Sequence, residues 1–385
     1  MTTSDVIWAH SGDSHFMEPP DFWSQILPKP LADRMPRSEK DPDSDFETVY
    51  VDGQTFRRKL PRVAVKKTED GKTMMDLESA APGTGNVDLR LLDLDNEGIW
   101  GEVMYPSLGL WENMITDRDL VRAACRAENE YRKEALQDRA PDRFVPAAAI
   151  PMLDIQDAVE ALGYAADLGL HVAALPTGVS EGMPDYNRDD WEPLWATAEE
   201  CGMVLGFHIG TDGLGAKDNV MFNGPGGAVL NYVGTTYGGQ WVAMKLVTSG
   251  ALERHPDLKI LISEGGATWV PFIGDRMNEG YRQHSMWVRP MLSHLPKETL
   301  YRQVYTSFQH DETAPAALWA MGYQNVMWGS DYPHIEGTYG HTQKTLHGLF
   351  DDLDPGVSHR IRIGAFKELF PHITGPPESE NNRTH

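Results

Sequence analysis

Eight short runs rich in β-branched residues recur along the chain, and helical patterns separate most of them. The runs are Val6–His10, Ile99–Tyr105, Phe144–Ile150, His171–Leu175, Met203–His208, Lys259–Ser263, Gln303–Phe308 and Asn325–Gly329. Asp154 opens a helix whose apolar positions Ile155, Val159, Leu162 and Ala166 recur three or four residues apart, and Gly169 stops it. Asp117 opens another, through Leu120, Ala124 and Ala127 to about Gln137. Asp189 or Asp190 opens a third, through Trp191, Leu194, Trp195 and Ala198, with a stop at Gly202. Strands alternating with helices in this way predict parallel βα units that close into a (β/α)8 barrel of the TIM type. An open doubly wound sheet is the alternative. Against it, no run is followed by a GxGxxG turn, and no GxxxxGK[ST] phosphate loop occurs.

One stretch breaks the alternation. Residues 36–86 are rich in charge, proline and glycine, and within them Asp52-Gly53 sits between the alternating apolar residues of Thr48–Phe56. This predicts a β-hairpin inserted after strand one and lying over the top of the barrel. Residues 1–375 then form one barrel domain with its insertion, and the polar run 376–385 is expected to be a disordered tail.

Composition serves to exclude. Thirty-four Lys+Arg stand against 57 Asp+Glu, a net charge of −23. A nucleic-acid binder needs the opposite balance. No 18-residue apolar run occurs, and the opening MTTSDVIWAH has no basic stretch leading into an apolar one, so no membrane association is expected. The two cysteines, Cys125 and Cys201, supply neither a disulfide framework nor a thiolate zinc site, and they point to a reduced, cytoplasmic location.

In a barrel, chemistry sits at the C-terminal ends of the strands. Strand one ends in Asp13-Ser14-His15, a spacing that puts both titratable groups on one face of an extended chain. Strand five ends in His208, strand six in Glu264, strand seven in Gln309-His310-Asp311, and strand eight in Asp331-Tyr332-Pro333-His334. Converging carboxylates disfavour one another's ionisation, and a divalent cation removes that cost. Asp and His together suit zinc, iron or manganese. Asp13, Glu264 and Asp331 carry −3 when ionised; one divalent ion leaves −1, whereas two with a bridging hydroxide leave zero, which favours two metals over one. The candidate ligands are Asp13, His15, His208, Glu264 and Asp331. Asp331 and His310 are the candidate catalytic groups. Glu18, Trp23, Tyr105 and His334, with Trp111 and Tyr332, are candidates to line a substrate pocket. His10, at the start of strand one, reads as structural.

The run Asp13-Ser14-His15-Phe16-Met17-Glu18-Pro19-Pro20-Asp21-Phe22-Trp23 resembles the DxHxxEPxxxW opening of the amidohydrolase-related proteins. These are the branch of the amidohydrolase superfamily that includes aminocarboxymuconate-semialdehyde decarboxylase and gamma-resorcylate decarboxylase. The segments GIWGEVMYP (98–106), EGGATWVP (264–271) and WGSDYPHIEG (328–337) match in order, so the resemblance spans Val6 to Pro371. It implies a distorted barrel with a metal at the strand ends, held by Asp13, His15, His208 and Asp331, in a chain that forms a homodimer. Two positions depart from the family. The strand-six position, usually histidine in the decarboxylases, is Glu264, and strand four ends in Leu175-Pro176 with no lysine to bridge two metals.

On these grounds the expected activity is hydrolysis of a small acyl substrate (an amide, ester, lactone or thioester) by metal-activated water, with Asp331 as general base and His310 or a metal polarising the carbonyl. The reason is that an added acid at strand six opposes binding of a carboxylate substrate. The alternative is metal-dependent decarboxylation of an aromatic or unsaturated acid. A non-catalytic metal-binding barrel is a third reading, and the intact Asp13, His15, His208 and Asp331 set opposes it.

Overall fold

The computed structural model describes residues 6–19, 21–44, 46–59, 81–107, 115–211, 222–334 and 336–377. Eight parallel strand positions form a nearly closed barrel. They are β1 (Ala9–Ser11), continued by β2 (His15–Phe16), then β6 (Ile99–Pro106), β7 (Phe144–Ala149), β8 (Val172–Leu175), β9 (Val204–His208), β10 (Ile260–Ser263), β11 (Val304–Phe308) and β12 (Val326–Trp328). Each pairs in parallel with the next. Closure runs through backbone bonds from Gly12 N–H to the Trp328 carbonyl (2.9 Å) and from Asp331 N–H to the Asp13 carbonyl (3.0 Å). A bridge between Ser14 and Tyr332 completes the seam. The seam therefore joins the first and last motifs of the sequence and brings Asp13 beside Asp331.

Alternation along each strand divides two cores. Val103, Tyr105, Val145, Ala147, Val172, Val204, Leu261, Tyr305 and Met327 fill the barrel, and Phe366, Phe370 and Ile373 plug its lower end. The intervening residues, such as Ile260, Ile262 and Phe308, pack under the helix layer. Helix ends follow the sequence signals. The Asp154 side chain caps Ile155–Asp167 and that of Asp117 caps Arg118–Arg132, while Gly202 ends Glu192–Cys201 with φ 65°. The third helix opens through a 3-10 turn at Asp189–Trp191, without a side-chain cap.

The insertion carries three antiparallel strands where a hairpin is expected: β3 (Arg37–Lys40), β4 (Phe46–Val51) and β5 (Gln54–Lys59). The hairpin turn at Asp52 and Gly53 has φ of 44° and 74°. The third strand, Arg-Ser-Glu-Lys, has no apolar alternation because it is a charged edge, and so it left no strand signal. The sheet is fastened to the start of helix Arg118–Arg132. Arg34 bridges Asp52 and Asp117, and Met35 and Val51 pack with Leu120 and Val121. Residues 378–385, most of the expected tail, lie outside the described residues. Among the described residues no helix is long and apolar enough to cross a membrane.

Candidate metal centre

Four strand ends bring Asp13, His15, His208, Glu264 and Asp331 together. The Nε2 atoms of His15 and His208 are 2.9 Å apart. His208 Nε2 lies 3.4 Å from both Asp13 Oδ1 and Glu264 Oε2, and His15 Nε2 lies 3.5 Å from Asp331 Oδ1. Asp13, His15 and Asp331 are fully buried. His208 Nδ1 is 2.7 Å from the Ile209 carbonyl, which can only accept, so Nδ1 holds a proton and Nε2 is the nitrogen turned to the cluster.

The electrostatics of this cluster demand a cation. Burial alone would lower the His208 pKa, but Asp13 and Glu264 outweigh it and push it up to about 10. Burial, then His334 and His208, hold His15 well below the ordinary histidine value. The carboxylates therefore favour positive charge at the point between the two rings. Both Asp13 oxygens are buried without a hydrogen-bond partner, which is costly for a carboxylate unless a metal takes that place. The donor set of imidazole nitrogens and carboxylate oxygens fits a divalent metal of the zinc, iron or manganese kind.

Glu264 reaches the cluster by a backbone turn. Ser263 already faces the barrel interior, where its hydroxyl donates to the Tyr105 hydroxyl oxygen at 2.8 Å. Simple alternation would send Glu264 outward. Its φ of 58°, in the left-handed region, redirects it, and its N–H donates to Ser307 Oγ at 2.9 Å. Asp331 also has a left-handed φ, 51°. Burial, then the Asp331 charge, raise the Glu264 pKa to about 8.

The remaining candidates separate. His334 joins the cluster: its Nδ1 is 2.8 Å from Asp331 Oδ1, and its ring stacks on His15 at 3.9 Å. Tyr105 forms the floor, edge-on to His208 at 5.1 Å. Gly206 is required beneath it, since a Cβ there would come 2.5 Å from the Tyr105 hydroxyl. His310 stands exposed on the rim, stacked parallel to His341, with Nε2 3.1 Å from the Glu336 carbonyl. Glu18 accepts from Ser107 N–H at 3.3 Å in a small cleft beside Tyr131. Trp23 is buried in the satellite core, donating to the Pro36 carbonyl. Neither Glu18 nor Trp23 is among the residues grouped around the metal position. Trp111 lies outside the described residues.

One participant was not anticipated. Arg90, fully buried on helix Val87–Glu97, pairs with buried Glu102 (Nε to Oε1 2.5 Å). It also donates to the His15 carbonyl (2.7 Å) and Ser14 Oγ (3.1 Å), and it lies 4.6 Å over the Tyr332 ring. Asp93, one turn on, accepts from the Tyr332 hydroxyl at 2.6 Å. One helix thereby holds both ligand-bearing loops.

A family model for amidohydrolases matches residues 104–365, and the chain belongs to that family. Among curated proteins it is 24% identical over 269 residues to the decarboxylase yanB of Aspergillus niger, covering 65% of this chain and 69% of that one. It is 25% identical over 265 residues to gamma-resorcylate decarboxylase of a Rhizobium species, covering 64% and 76%. Among solved structures, an amidohydrolase from Mycobacterium avium superposes with a TM-score of 0.74 at 20% identity, covering 94% and 98% of the two chains. A dihydroxybenzoic acid decarboxylase from Polaromonas, with bound manganese and 2-nitroresorcinol, superposes with a TM-score of 0.60 at 17% identity, covering 96% and 98%. The structural likenesses show the fold.

These relatives correct the expectation of hydrolysis. The curated matches are decarboxylases, which favours the alternative reading. The physical ground for preferring hydrolysis was the extra negative charge of Glu264. Burial and the neighbouring Asp331 charge raise the Glu264 pKa, which weakens that ground.

Proposed function

We propose that the chain is a metal-dependent decarboxylase of a small aromatic carboxylic acid. The observation that carries this reading is the buried approach of the His15 and His208 Nε2 atoms at 2.9 Å between Asp13 and Asp331, in a chain whose curated relatives are decarboxylases. Asp13, His15, His208 and Asp331 would hold a divalent metal, manganese, zinc or iron, with Glu264 as the residue available to a second ion. When bound, that metal would neutralise and orient the substrate's acidic oxygens. Asp331, in contact with His334 at 2.8 Å, would deliver a proton to the ring carbon. The carbon–carboxyl bond breaks, its electron pair stays on the ring carbon, carbon dioxide leaves, and the proton from Asp331 completes the new C–H bond. His334 restores that proton from the solvent side, where its side chain is 24% exposed. Tyr105, beneath His208, closes the floor against water.

The partners and location follow the same proposal: a small carboxylate substrate, a second copy of the chain, and the cytoplasm. For the second copy, Val229, Val233, Tyr237 and Trp241 form an exposed apolar row on helix Gly227–Thr248.

Purified chain loaded with manganese and, separately, zinc is tested for carbon dioxide release from a panel of mono- and dihydroxybenzoates, with aryl esters and thioesters as controls. Release from at least one acid, lost on chelation and in Asp331→Asn, is the expected result. Ester or thioester turnover without carbon dioxide release would defeat the reading.

A further inference from the structure

Helix Gly227–Thr248 packs on the barrel with its second half alone. Its buried residues are Gly239, Val242, Ala243, Leu246 and Val247, with Gly227 at the far end. Gly239 marks where this contact begins: a Cβ there would sit 2.5 Å from Ile262 Cγ2, on β10 two residues before Glu264. As the connection between the parallel strands β9 and β10, the helix runs antiparallel to them, so the turns before Gly239 rise beyond the strand ends on the side of the barrel that carries the site. Tyr232 precedes Gly239 by seven residues, nearly two whole turns, and therefore shares its barrel-facing side about 10 Å further out. Tyr237 and Trp241 lie on the opposite side. Asn231 fixes this projecting part by a pair of hydrogen bonds with the Phe222 backbone, at 2.7 and 3.0 Å.

We propose that Tyr232 determines substrate specificity by reading the side of an aromatic acid that is turned from the metal: its hydroxyl donates a hydrogen bond to a ring oxygen there, such as the second ortho hydroxyl of 2,6-dihydroxybenzoate when the first and the carboxylate lie at the metal, and its ring walls the mouth. The inference rests on the decarboxylase reading. Tyr232 is 52% exposed, so its hydroxyl is open to a ligand, and among the described residues none hydrogen-bonds it. Partial burial, then the charges of Glu264, Glu336, Asp331 and Asp311, push its pKa up to about 12. The phenol therefore stays protonated near neutral pH and can act as a donor. The carboxylates around it cannot donate when ionised, so a phenolic or phenolate oxygen on the substrate finds its partner in Tyr232.

The test uses the full metal-loaded chain as wild type, Tyr232→Phe and Tyr232→Ala. Binding of 2,6-dihydroxybenzoate and of benzoate, which lacks ring hydroxyls, is measured by calorimetry, carbon dioxide release by steady-state kinetics, and molecular size by light scattering. Tyr232→Phe is expected to weaken binding and raise KM for 2,6-dihydroxybenzoate by about tenfold, with kcat within about twofold and benzoate binding unchanged. Tyr232→Ala is expected to weaken both acids. Wild-type affinity in Tyr232→Phe, an equal loss for benzoate, or a change of size without a change in KM would each overturn the proposal. If wild type binds the acid and releases no carbon dioxide, the decarboxylase reading fails while the binding comparison still judges Tyr232. If wild type binds neither acid, both fail.

Discussion

The His15 and His208 nitrogens, 2.9 Å apart beside Asp13, whose buried oxygens accept no hydrogen bond, mark a position that favours positive charge. Adding manganese or zinc should therefore raise the melting temperature of the chain. At a free metal concentration of 100 Kd the stabilisation is about 2.7 kcal/mol. Asp13→Asn should remove most of this rise, and a full metal-induced shift in that variant would show that Asp13 is not a ligand. His10, at the lower end of the barrel, gives a separate signal. Its ring stacks on Phe366 at 4.6 Å, and burial, then Lys367 and Arg143, lower its pKa from 6.5 to about 3. The folded-state value lies below the unfolded one, so the unfolded chain takes up the proton first. The contribution of neutral His10 is complete above about pH 6.5 and is lost as the pH falls toward 3, by up to about 1.4 kcal/mol per pH unit. Urea unfolding of the metal-free chain between pH 7 and pH 4 should show a shallower loss of stability in His10→Gln than in wild type. Equal slopes would contradict the assignment.

At the scale of elements, helix Val87–Glu97 acts as a clamp. Arg90→Met strands the buried Glu102 charge and should cost about 3–5 kcal/mol of stability in chemical denaturation. In Arg90→Met/Glu102→Leu the stranded charge is gone, so much of the stability should return. Metal affinity should stay low in both, because the bonds from Arg90 to the His15 carbonyl and Ser14 Oγ remain lost. Wild-type metal affinity in the double variant would reduce Arg90 to a folding role. This clamp also marks the limit of what the chain discloses as sequence. The barrel strands were legible because most are compact apolar runs, several of them next to a capped or glycine-ended helix, and their observed bounds fall within three residues of those expected. The Asp13 and His15 pair was legible because a spacing of two fixes a shared face. Arg90 resembled any helical arginine, since its partners come from β6 and the β1–β2 segment and exist only once the barrel closes. Glu264 was found by its place after β10, but its inward turn depends on a left-handed backbone that sequence does not display. Tyr232 needs the phase of a helix, and that phase is set by the contact of Gly239 with Ile262.

The whole molecule places its charge and its apolar surface in different roles. The net charge of −23 is spread mostly over solvated surface, whereas Asp13, Glu264 and Asp331 converge within one buried group of ligand atoms. The exposed row Val229, Val233, Tyr237 and Trp241 is expected to pair with a second copy. Trp241→Glu should shift the light-scattering mass toward the monomer, and an unchanged mass would move the interface elsewhere. The central claim concerns the reaction itself, and its most direct measurement follows the carboxyl carbon. The manganese-loaded chain is incubated with 2,6-dihydroxybenzoate labelled at that carbon. The account predicts labelled carbon dioxide and 1,3-dihydroxybenzene in equal amounts, with neither formed by Asp331→Asn that still binds metal. Intact labelled acid from this and every other hydroxybenzoate tried, despite full metal occupancy, would contradict it.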